Sequence, residues 1–148
     1  MKKEKVGIKK DKNLKKYLKW EMDMLKTYGW YVHIVQLETN PNLANAHTHG
    51  IFESFGHLDF QIALSLPKNV YSYIFAELVE RINDDKIFTD GMIVDDLLEK
   101  YNVKFLKYTE SGRDVMRIII PDRKGNLDRF TSEEPFNMQY DDFEKVLV

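Results

Sequence analysis

Apolar positions along the chain follow two periods. Leu14, Tyr17, Leu18, Met22, Leu25 and Tyr28 recur every three or four residues, which predicts an amphipathic helix with Asp11 placed to cap it and Gly29 to stop it. Trp30 to Leu37 is rich in aromatic and β-branched residues and ends at Thr39-Asn40-Pro41-Asn42, the pattern of a largely buried strand. From His57 to Leu66 the period changes to two: Leu58, Phe60, Ile62, Leu64 and Leu66 share one face, so His57, Asp59 and Gln61 must share the other. Pro67 opens a second helix, whose stripe of Tyr71, Ile74, Phe75, Leu78, Val79 and Ile82 covers the sheet and which Asn83-Asp84-Asp85 ends.

Beyond the Asp90-Gly91 turn, Met92 to Tyr101 carries no firm pattern. Val103–Tyr108 and Val115–Ile120 read as two strands of a hairpin joined by Glu110 to Asp114, and Pro121 ends the second. Phe136, Tyr140, Phe143 and Val146 suggest a short closing helix. Together these elements predict one α+β domain over residues 1–148: a largely antiparallel or mixed sheet of about five strands with two main helices packed on it, residues 1–11 being a flexible basic leader.

Composition narrows the class. A chain of 148 residues with 43% hydrophobic and 31% charged residues has enough apolar side chain for one core and lies far from the composition of disordered segments. The absence of cysteine excludes disulfides, thiolate catalysis, cysteine-based zinc sites and iron–sulfur clusters. No signal-peptide pattern and no run of about 18 apolar residues is present, so the expectation is a cytoplasmic protein without membrane contact. Net charge is -2, but residues 1–30 hold ten lysines against four acids. Those lysines read as the wet side of a helix, and the acidic remainder makes nucleic acid an unlikely partner.

Three of the four histidines fall between Ala46 and Phe60. On a strand, His47 and His49 project to the same face about 6 to 7 Å apart, the start of a zinc or iron site. If residues 47–53 paired with 57–65 around Phe55, His57 would lie opposite Glu53 and about 13 Å from His49, so one ion could not join His47, His49 and His57. A Glu53, His57, Asp59 cluster on one face forms more readily and would orient an imidazole. His33, alone in an apolar strand, reads as a satisfied core histidine. No P-loop, dinucleotide-binding turn or nucleophile elbow occurs, while Asp122 and Arg123, just after an apolar strand, could reach a cleft at its end.

Gly29-Trp30, His47-Thr48-His49-Gly50, Gly56-His57-Leu58-Asp59, the helix from Pro67, and Ile120-Pro121-Asp122 through Gly125 stand in a telling order. In this the chain resembles an uncharacterised bacterial family, the domain of unknown function numbered 4262, over about three quarters of its length. That family has Tyr where His47 stands, Pro-Glu where Leu58-Asp59 stand and Trp where Ile120 stands. The resemblance therefore argues against a three-histidine metal site common to the family and implies that Gly50, His57, Asp59 and Asp122 are the positions a common function would use; it implies no activity. The expected function is a binding or regulatory domain whose polar sheet face, around His57 and Asp59 with Gly50, Asp122 and Arg123, receives a small molecule or a protein partner. The alternative is a hydrolase-type enzyme with His57 as general base, oriented by Asp59 or Glu53. No cofactor is expected; a divalent metal is the secondary expectation.

Overall fold

The computed structural model describes the backbone of residues 2–141 and the side chains from Lys12 to Asp141. In chain order the elements are α1 (Lys2–Tyr28), β1 (Tyr31–Gln36), β2 (Leu43–His49), α2 (Ile51–Phe55), β3 (Asp59–Leu64), α3 (Lys68–Asn83), β4 (Ile93–Leu98), β5 (Tyr101–Glu110), β6 (Arg113–Ile119) and a 3-10 helix over Phe136–Tyr140. The strands form one six-stranded sheet in the order β1-β2-β3-β6-β5-β4. All neighbours are antiparallel except β3 and β6, which run parallel.

The α+β class and the predominance of antiparallel pairing agree with the sequence reading, with six strands where about five were expected and a third, short helix besides the two main ones. The added strand is β4, in the stretch from Met92 to Tyr101 where the sequence carries no firm pattern. Residues 51–53, expected to continue a strand to a turn near Phe55, instead belong to α2, because Gly50 (φ 100°) and Gly56 (φ 73°) bend the backbone on either side of it. Helix α1 is continuous from Lys2, so the segment read as a leader belongs to it and Asp11 lies inside rather than at its start. Phe143 and Val146, expected in a closing helix, lie outside the described residues.

The core sits between the sheet and α3. Phe60, Ile62, Phe105, Met116 and Ile118 project from the central strands toward Tyr71, Ile74, Phe75 and Leu78 of α3, all buried. The stripe read along α3 is therefore its core face, and burying it supplies the main driving force for docking the helix. The opposite face of the same strands is polar yet also covered. Asn45, His47, Asp59, Gln61 and Arg117 are each less than 7% exposed. Over β1 lies α1, where Trp20 meets Tyr31 edge-on at 5.5 Å, and over β6 lies the segment that ends in the 3-10 helix, where Arg117 donates to the carbonyl oxygens of Gln139 (2.8 Å) and Asp141 (2.7 Å).

Candidate metal centre

The β1–β2 hairpin turns about Asn40, so residues equally far from it face each other. Tyr31 stands opposite His49, and His33 opposite His47. With His47 and His49 two apart on β2, three imidazoles emerge on one face of two adjacent strands. Ring centroids are 5.1 Å apart for His33 and His47, 4.8 Å for His47 and His49, and 6.2 Å for His33 and His49. One nitrogen from each ring can be chosen so that all three lie within 4.8 Å of one another. A tetrahedral zinc with Zn–N bonds of 2.0–2.1 Å needs about 3.3 Å between ligand nitrogens, closer than the 4.8 Å within which these three lie.

A buried chain of hydrogen bonds sets the tautomer of the central imidazole. Arg117 can only donate, and its Nε donates to Gln61 Oε1 at 2.8 Å, which leaves the Gln61 amide nitrogen as a donor. That nitrogen donates to Asn45 Oδ1 at 2.9 Å. Asn45 Oδ1 is thereby fixed as an acceptor, and it lies 2.9 Å from His47 Nδ1. The proton must sit on Nδ1, so Nε2 keeps its lone pair for a ligand. Each link in this relay is buried, from Arg117 (1% exposed) to His47 (4% exposed).

Electrostatics favours the neutral form of His47 and His49. Burial pushes the His47 pKa down to about 4, against a smaller upward pull from the Glu110 carboxylate 4.0 Å from its Nδ1. His49 is also lowered, first by burial and then by the positive charge of Arg113. Arg113 is itself held in place: it donates to Glu110 (2.9 Å) and to the Thr48 carbonyl (2.8 Å), and its guanidinium lies 3.3 Å from Asp59. Neutral imidazole is the form that binds transition metals. Tyr31 stacks on His49 at 5.2 Å and donates to Glu21 of α1 at 3.0 Å, while Tyr17 approaches His33 at 6.2 Å, so α1 forms a roof beside the three rings.

The residues expected to form the site are placed otherwise. His57 and Asp59 do not come together. His57 precedes β3, stacks on Phe60 at 5.1 Å and accepts the Phe88 N–H at Nε2 (3.0 Å) while its Nδ1 donates to the Leu58 carbonyl (2.8 Å). Both of its nitrogens are engaged in hydrogen bonds, and it is not part of the group formed by His33, His47 and His49. Asp59 points to the other side, where its carboxylate accepts from Thr48 Oγ1 (2.7 Å) and from the backbone N–H groups of Ile51 (3.1 Å) and Phe52 (3.3 Å) at the start of α2. Glu53 is exposed on α2 and shares with Asp59 and Arg113 a shallow cavity of about 250 Å³.

Gly50 is buried where an added Cβ would run into the Gly29 carbonyl oxygen and lie 2.7 Å from Leu25 Cδ2; it lets two segments cross closely and offers no side chain. Asp122 organises its own loop, accepting from the backbone of Lys124, Asn126 and Glu133, while Arg123 is exposed and pairs with Glu133 at 3.2 Å. Sequence reasoning placed His33 in the core; it is half-buried on the polar face beside His47. The signal that could have found it was the Asn40-Pro41 turn, since reflecting β1 through residue 40 puts position 33 opposite 47.

Against known proteins, the family model described as Domain of unknown function (DUF4262) matches residues 24–128, more than half of the chain. No curated protein and no solved structure matches it.

Proposed function

We propose, for a chain that belongs to the family described as Domain of unknown function (DUF4262), a mononuclear zinc-class centre formed by His33, His47 and His49. The observation that carries this reading is the convergence of three ring nitrogens within 4.8 Å, with the central imidazole neutral and its proton assigned to Nδ1 by the Arg117-Gln61-Asn45 relay. Three nitrogen ligands and no fourth protein ligand among the described residues is the pattern of a catalytic rather than a structural zinc site, because a closed structural site spends all four positions on protein atoms. An ion held by His33, His47 and His49 would supply an activated water near pH 7, so the activity class we propose is hydrolysis or hydration. Behind His47, Asn45 accepts its Nδ1–H and the Glu110 carboxylate 4.0 Å away adds negative charge, and both raise its basicity toward an ion.

The test is metal binding by full-length protein produced without a polyhistidine tag. Zinc should bind at one equivalent by calorimetry, and cobalt(II) should give the intense visible bands of a tetrahedral complex. His33→Ala, His47→Ala and His49→Ala should each remove the cobalt spectrum. His57→Ala should leave it in place. Asn45→Ala, which removes the acceptor shared by His47 and the Gln61 amide, should weaken zinc about 10- to 100-fold. A protein that binds no zinc, or whose binding survives loss of His47, would sink the proposal.

A further inference from the structure

Strand β1 is an edge of the sheet, and its outer side is unusual for an edge. The opposite edge, β4, carries Asp95 and Asp96 and has an irregular register between Val94 and Leu98, devices that discourage another strand from pairing. Strand β1, Tyr-Val-His-Ile-Val-Gln, has no charged residue and no proline, and it keeps a regular register along all six residues. The Leu37 N–H donates to the Leu43 carbonyl across the hairpin, which makes 37 and 43 a hydrogen-bonded pair. Counting back by twos, Tyr31, His33 and Val35 also turn their backbone groups toward β2. The N–H and C=O of Val32, Ile34 and Gln36 therefore face the open side.

That open side is the floor of a groove of about 820 Å³. One wall is α1, through Tyr17, Trp20, Met24 and Tyr28; the other is α3, through Lys68, Tyr71, Ser72 and Ala76. His33, one of the three metal-ligating candidates, also lines it. Outward-facing backbone groups repeat about every 6.8 Å along β1, which is the repeat of an extended polypeptide. Among the described residues Lys68 is the one charged residue lining the groove, and it begins α3, whose N-terminal end has no side-chain cap. Both features favour a carboxylate at that end of the groove.

We infer that the groove binds an extended apolar peptide, added to the sheet as a seventh strand beside β1 with a carboxylate at Lys68. Because His33 belongs to both places, such a peptide is the class of ligand presented to the metal centre, and in that respect the inference rests on the function proposed above. Main-chain pairing supplies affinity in this mode, and pockets for alternate side chains supply selectivity. The groove's aromatic lining suits Val, Leu or Phe at the positions that face the walls.

The two tryptophans of the chain, Trp20 and Trp30, both line the groove, so intrinsic fluorescence reports on it directly. The probe is acetyl-Val-Phe-Val with a free carboxyl terminus, titrated into the full-length protein in the presence of a chelator. A saturable change in tryptophan emission is expected. N-methylation of the amide that pairs with β1 should weaken binding about tenfold, roughly the worth of one backbone hydrogen bond, and methylation of the next amide should change it less than about twofold. Replacing the terminal carboxylate by an amide should weaken binding to the wild type and change it much less in Lys68→Met. Equal tolerance of methylation at both amides would mean simple apolar partition and would overturn the inference. So would no fluorescence change, or concentration-dependent dimerisation that the peptide fails to reverse. Because the chelator removes metal, failure here leaves the zinc titration untouched, and failure of zinc binding leaves this result standing.

Discussion

Lowering the pH from 7.5 to 5 protonates histidines in the unfolded chain, whose ordinary pKa is 6.5, but it leaves a buried ring with a folded pKa of about 4 uncharged. His47 is such a ring. The unfolded state then binds a proton that the folded state refuses, so the fold loses stability as pH falls below 6.5 and the loss stops growing below about pH 4. At pH 5 the difference between the two titration curves amounts to about 2 kcal/mol for His47 alone, against almost nothing at pH 7.5. His49 is shifted in the same direction and adds to the effect. Glu110, whose carboxyl is held below its ordinary value of 4.5, contributes stability that disappears only at lower pH, outside this window. The measurement is urea unfolding at pH 7.5 and pH 5 with chelator present, for the wild type and His47→Gln. The wild type should lose about 2 kcal/mol more than the variant between the two pH values, whatever the variant's stability at pH 7.5. Parallel losses would show that His47 takes up its proton in the folded state, and the claim of a neutral His47 would fall with it.

Two further outcomes separate the scaffold from the centre. Gly50→Ala places a side chain at φ 100° and drives its Cβ into the Gly29 carbonyl oxygen, so the unfolding free energy should drop by at least about 2 kcal/mol; a change under about 0.5 kcal/mol would remove the close-crossing argument. His57→Leu leaves the buried Phe88 N–H without an acceptor and should cost about 1 to 3 kcal/mol by urea unfolding while the zinc affinity stays the same. A loss of zinc binding at equal stability would return His57 to the site.

How much of this could be read from the chain depends on the range of the forces involved. The stripe from Tyr71 to Ile82 is a local pattern, and it forms the predicted helix, α3, whose buried face is that stripe. Ser111 and Gly112, both with positive φ, close the β5–β6 hairpin where the turn was expected. The alternation from Leu58 to Leu66 correctly puts Phe60 and Ile62 in the core. What parity could not say is that β3 is central, so that Asp59 and Gln61 are buried as well. His57 failed for a different reason: its partner, the Phe88 N–H, lies 31 residues away, and no local pattern marks a backbone donor that lacks an acceptor. Residues 51–53 were misread because the carboxylate that anchors the start of α2 comes from Asp59, beyond the helix's own end.

Positions that carry the family resemblance and positions that carry the proposed chemistry divide cleanly in this fold. Gly29 and Gly50 permit the crossing of two segments; Thr48 Oγ1 donates to Asp59 and accepts the Phe60 N–H; His57 holds Phe88; Asp122 ties its loop together. Every one of these interactions builds the scaffold, and a scaffold of this kind puts residues 33, 47 and 49 on one face whatever their side chains. Histidine at 47 stands where the resembling pattern has tyrosine, which would supply a hydroxyl in place of the central neutral nitrogen. The metal chemistry proposed for this chain is therefore a property of three side chains set on a common sheet, and it extends to a relative only where imidazoles stand at the positions of His33, His47 and His49.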